Sequence, residues 1–97
     1  MSTSQSIELE MGLSEKDFED VLANAVKPYT VTLIPNGYRL HTKDQEIHID
    51  KDILSPRKIA SIELPRMQVT LRFLAHSEQQ VKQFMQRFNR YMHRGGG

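Results

Sequence analysis

The chain has 97 residues, 38% apolar and 26% charged, with a formal net charge of +1 and no cysteine. That length sustains one hydrophobic core, and the missing cysteine excludes disulfides, thiolate nucleophiles and sulfur-ligated zinc or iron. No apolar run approaches the roughly 18 residues of a membrane helix, and Met1–Ser6 lacks the basic start and apolar stretch of a signal peptide. The expectation is therefore one cytoplasmic domain over 1–97, with flexible tails at 1–5 and 95–97.

Ile7, Leu9 and Met11 alternate with Glu8 and Glu10, which predicts a half-buried strand that Gly12 ends. Ser14 followed by Asp17 starts a helix, and Phe18, Val21, Leu22, Ala25 and Val26 recur at helical spacing until Lys27-Pro28 stops it. Its acidic residues, Glu15, Asp17, Glu19 and Asp20, sit in the first turns, where the helix dipole favours them.

Tyr29–Ile34, Tyr38–Thr42 and Glu46–Asp50 read as a three-strand meander. Asn36-Gly37 is a strong two-residue hairpin signal; with both residues at positive φ it pairs Pro35 with Tyr38, Leu33 with Leu40, Thr32 with His41 and Val31 with Thr42. A second turn at Asp44-Gln45 pairs Lys43 with Glu46, Thr42 with Ile47, His41 with His48, Leu40 with Ile49 and Arg39 with Asp50. Both turns put Val31, Leu33, Leu40, Thr42, Ile47 and Ile49 inward. Thr30, Thr32, Ile34, Arg39, His41, Lys43, Glu46, His48 and Asp50 then face outward.

Lys51–Ala60 reads as a connection in which Ser55-Pro56 caps at most one helical turn. Ser61–Phe73 is strand-like, but its apolar residues change parity from Ile62 and Leu64 to Met67, Val69, Leu71 and Phe73, a shift assigned to Pro65-Arg66. Ser77 with Gln80 caps a last helix whose stripe is Val81, Phe84, Met85, Phe88, Tyr91 and Met92, ended by Gly95-Gly96-Gly97. The order β-α-β-β-β-β-α predicts an α+β fold. Its form is a two-layer sandwich, one mostly antiparallel sheet of about five strands with two helices on one face.

No Gly-x-Ser-x-Gly elbow, phosphate loop, His-Glu-x-x-His or dinucleotide fingerprint occurs, so no catalytic residue, cofactor or small-molecule substrate is identified. His41 and His48, opposite each other in the predicted register with Glu46 and Asp50 nearby, form the single candidate metal cluster and a conceivable pH-sensitive pair. A ladder of Arg39 with Asp50 and Lys43 with Glu46 explains that face without a metal, and none is assigned. Glu8 and Glu10, alternating on a strand, read as solvated.

Charge is divided along the chain. Residues 1–26 hold six acids against Lys16, whereas 57–97 hold eight Lys and Arg against Glu63 and Glu78. At about 100° per residue, Arg87, Arg90 and Arg94 share one sector of roughly 60° on the last helix, with Lys82 on the neighbouring polar arc. That ridge suits phosphates or carboxylates, and it also complements the helix dipole. The aromatic residues fall on inward phases, so stacking on single-stranded bases is not expected. Arg94-Gly95-Gly96-Gly97 resembles a conjugation tail or a lone Arg-Gly-Gly only superficially, because glycine is the ordinary terminator of a helix.

The reading is a non-catalytic binding or adaptor module working through protein-protein contacts, including self-association. The alternative is phosphate-led binding of structured RNA or DNA by Lys82, Arg87, Arg90 and Arg94. No membrane partner is expected.

Overall fold

The computed structural model describes residues 5–96, with side chains through His93. β1 (Gln5–Met11), α1 (Glu15–Ala25), β2 (Thr30–Ile34), β3 (Gly37–His41), β4 (Glu46–Ile59), β5 (Ile62–Leu74) and α2 (Glu78–Gly96) follow in that order. The strands make one antiparallel sheet, β1-β5-β4-β3-β2, with the helices packed together on one face. This is the α+β sandwich expected from the sequence. Gln5 opens β1 and α2 reaches Gly96, while the rest of the expected tails, 1–4 and 97, lies outside the described residues.

Both helices start where their side chains satisfy orphan backbone groups. Ser14 Oγ accepts from the Asp17 amide at 3.1 Å. Ser77 and Gln80 form a full reciprocal box, with Gln80 N–H donating to Ser77 Oγ at 3.2 Å and Ser77 N–H to Gln80 Oε1 at 2.9 Å. The helical stripes bury Phe18, Leu22, Ala25, Val81, Phe84, Phe88 and Met92 against the inner sheet residues Tyr38, Leu40, Ile47, Ile49, Met67, Val69, Leu71 and Phe73. Phe18 bridges the layers, 5.5 Å from the Tyr38 ring and 6.3 Å from that of Phe88.

The meander departs from the expected register by two residues at each hairpin. Leu33 faces Tyr38, Val31 faces Leu40 and Thr30 faces His41; Arg39 faces His48 and His41 faces Glu46. The first turn is centred on Pro35-Asn36, since proline's fixed φ suits the first turn position, and neither Asn36 nor Gly37 has a positive φ. Gly37 serves a close approach instead: a Cβ there would lie 1.8 Å from the Ile49 carbonyl oxygen. Thr42–Gln45 forms the second loop, Thr42 Oγ1 accepting from the Gln45 amide at 3.1 Å, so Thr42 and Lys43 belong to no strand. A slip of two leaves each side chain on its expected face.

The larger correction lies beyond Asp50. The expected connection over 51–60 is strand, and β4 and β5 continue as a two-stranded arm to a turn at Ala60-Ser61, where Ala60 has φ 55°. The extra residue falls on β4, where Ser55 and Pro56 stand between the pairs Leu54–Arg66 and Arg57–Leu64 and only Pro65 intervenes on β5. No parity change is absorbed at Pro65-Arg66, so Ile62 and Leu64 face opposite to Met67, Val69, Leu71 and Phe73. Prolines fit here because the arm lies past the last β1 pair, Met11–Met67, and past β3, leaving outward N–H groups without ladder partners to lose.

Candidate functional site

The arm gives the molecule its long axis, with extents of 50 × 23 × 20 Å. Cross-strand partners share a face, so the register places Leu54, Ile59, Ile62 and Leu64 together with Arg57 and Arg66 on the outer side, away from the helices. Ile59 and Ile62, paired at the tip, are 53% and 58% exposed, values that belong to an unpartnered surface and not to a core. Leaving such side chains in water forgoes roughly 1.5–3 kcal/mol apiece relative to full burial.

The root of the arm is tied down. Arg66 donates from Nε to Glu10 Oε2 and from Nη2 to Glu10 Oε1, both at 3.1 Å, and from Nη1 to the Ser55 carbonyl at 3.2 Å. One guanidinium thus joins edge strand β1, β5 and the bulge of β4. The hydrogen bonds and charge of Arg66, with Arg57 adding to the field, hold the Glu10 carboxyl below its usual range. Lys58 and Glu63 pair at 3.5 Å on the other face.

The outer sheet face is a set of ion pairs different from the expected ladder. Glu46 accepts from Arg39 Nη2 at 3.0 Å and meets His48 Nε2, while Asp50 pairs with Arg72 at 2.9 Å. The Arg39 and His48 hydrogen bonds lower the Glu46 carboxyl to about 2. His41 is elsewhere, its Nε2 3.2 Å from Thr32 Oγ1. His41 and His48 are therefore not opposite one another, and among the described residues no group of three or more His, Asp or Glu is placed to hold a metal ion.

Of the four basic residues singled out on the last helix, Arg87 is turned toward α1. Its Nη2 donates to the Asn24 carbonyl at 3.1 Å and its guanidinium lies 4.9 Å from the Tyr91 ring centre. It supplies a cation to the end of α1, whose last turn has none of its own. Lys82 and Arg90 are exposed. The Arg94 side chain and Gly97 lie outside the described residues.

Two polar clusters escaped sequence reasoning. Lys51, on the inner phase of β4, pairs with Glu15 and lies 3.6 Å from Glu19, whose Oε2 accepts from the Tyr38 hydroxyl at 2.8 Å. Burial first, then the Glu19 contact, pushes the Tyr38 phenol up to about 12, so it stays neutral and pins the first turns of α1 to the sheet. A lysine on an inward strand phase facing an acidic helix start was the available signal. His76 is 7% exposed, with Nδ1–H donating to the Leu74 carbonyl at 2.8 Å and Nε2 lying 2.8 Å from the Tyr29 hydroxyl. Its neighbours account for its burial.

A cleft of about 400 Å³ opens beside the arm root between β1 and α2, lined by Leu9, Met11, Leu13, Met92, Glu10 and His93 among others. No described helix is long and apolar enough to cross a membrane. No family model matches the chain, and no curated protein is significantly similar to it.

Proposed function

We propose that the chain is a non-catalytic binding module acting through protein-protein contacts, with the β4–β5 arm as its docking element. What supports the reading is the placement of Leu54, Ile59, Ile62 and Leu64 on one solvent-facing side of a projecting arm whose root is fixed by Arg66. Arg57 on the same face favours a partner whose apolar contact surface is rimmed by carboxylates. A photoreactive side chain at Ile62, carried by the full chain in its native cell, should yield a discrete protein adduct that is absent with the same group at Lys16 on α1. Equal labelling at both positions, or none at Ile62, contradicts the reading.

Phosphate-led binding of structured RNA or DNA is the second reading, resting on exposed Lys82 and Arg90. It requires anisotropy binding that falls steeply between about 50 and 200 mM salt and is lost in Lys82→Glu, Arg90→Glu protein.

A further inference from the structure

Strand β2, Thr-Val-Thr-Leu-Ile over Thr30–Ile34, is the free edge of the sheet beside β3 and carries no charge, proline or bulge, the devices that usually guard such an edge. Its hydrogen-bonding groups have a definite direction. The Lys51 amide donates to the Asn36 carbonyl at 2.9 Å, so Tyr38 and Leu40 bond toward β4, while Gly37, Arg39 and His41 bond toward β2. Their β2 partners are Ile34, Thr32 and Thr30. The alternate residues, Val31 and Leu33, therefore aim their N–H and C=O groups away from the sheet. Leu33 is also 69% exposed although it sits on the inner phase opposite fully buried Tyr38.

We propose that β2 pairs antiparallel with β2 of a second copy of this chain, about a two-fold axis through Thr32. In that register Val31 exchanges backbone hydrogen bonds with Leu33 of the partner subunit, and Leu33 with Val31 of the partner subunit. Every outward group of those two residues is then satisfied, and each exposed Leu33 gains a β-branched neighbour on its own face. The two sheets become one, with both helical layers on the same side. Charge selects this edge over the other. A two-fold pairing of β1 about Glu8 would set Glu8 against Glu8 of the partner subunit, whereas β2 brings no charged side chain of its own to the seam. A net charge of +1 adds little long-range repulsion. The seam is short, well below the area of a standard stable interface, so the dimer is a weak, concentration-dependent one. The proposal extends the protein-contact reading to self-association and does not depend on the arm.

The test uses the absence of cysteine. Thr32→Cys places the two thiols at a non-hydrogen-bonded pair on the axis, where Cβ separation suits a disulfide, whereas Thr30→Cys does not face itself. Mild oxidation should give covalent dimer from the first variant and much less from the second. Thr32→Lys and Thr32→Asp should each sediment as monomer, and an equimolar mixture should restore the dimer, which separates repulsion from misfolding. Ile62→Lys, which alters only the arm, should leave dimerisation unchanged. A native chain that stays monomeric at the highest soluble concentration with no Thr32→Cys cross-link overturns the proposal. So does a dimer that survives Thr32→Lys or that is lost in Ile62→Lys.

Discussion

Arg66 grips both carboxylate oxygens of Glu10 through Nε and Nη2 of its guanidinium, and the two residues are 56 positions apart in the chain. The same side chain reaches the carbonyl of Ser55 at the β4 bulge, so the contact is a hinge pin for everything beyond it. Arg66→Lys keeps the charge and loses the planar fork. Amide exchange over residues 53–64 should accelerate in that variant while the global unfolding midpoint barely moves, and unchanged arm protection would show that the pair does not hold the arm.

Gly37 should be irreplaceable where Asn36 is not. Gly37→Ala drives a methyl against the Ile49 carbonyl and is expected to cost about 3 kcal/mol in denaturant unfolding or to abolish folding. Asn36→Ala, at a position without positive φ, should stay within about 0.5 kcal/mol. The reverse order would mean that the turn, and not the close approach, requires the pair.

Arg87→Met should lower stability by about 1 kcal/mol, because the Asn24 carbonyl loses its cation and the helix-helix junction its donor. Chemical unfolding of the variant checks this, and a neutral result would return Arg87 to the surface ridge.

Glu46 sets an acid-side dependence. Its folded carboxyl lies at about 2 against an ordinary 4.5, so the stabilisation is fully present above the ordinary value and drains away as pH falls from there toward 2. Glu46→Gln should flatten the stability curve below about pH 4.5 and leave its shape above pH 5 intact. Identical acid slopes for the two proteins would show that the Arg39 and His48 contacts do not bind the carboxylate.

How much the sequence disclosed follows from which periods survive a local error. Alternation and capping are local, so β1, both helices and the faces of the meander were legible, with Ser14 and Ser77 marking the helix starts. Register is set by turn geometry, and Pro35 outweighs the Asn-Gly signal at the first hairpin while the Thr42–Gln45 loop replaces the expected two-residue turn at the second, a slip of two in each pairing. That slip kept Leu40, Ile47 and Ile49 in the core yet gave Arg39, His41 and His48 the wrong neighbours. The arm escapes a sequence reading because Ser55-Pro56 reads as the start of a helical turn in a connection and Pro65-Arg66 as the site of a parity shift, although a strand with no outer neighbour tolerates proline. The parity change at Ile62 and Leu64 was visible and meant what it said: those side chains face the other way.

The prolines of the arm carry a further meaning for the molecule in a crowded cell. A bare two-stranded ribbon rich in isoleucine and leucine would template indefinite stacking along its sides. Pro56 on one strand and Pro65 on the other each withhold a donor, so growth along either flank stalls while Ile59, Ile62 and Leu64 remain exposed on the outer side. The two flanks of the arm thereby deny fibre formation the strand-by-strand repeat it needs.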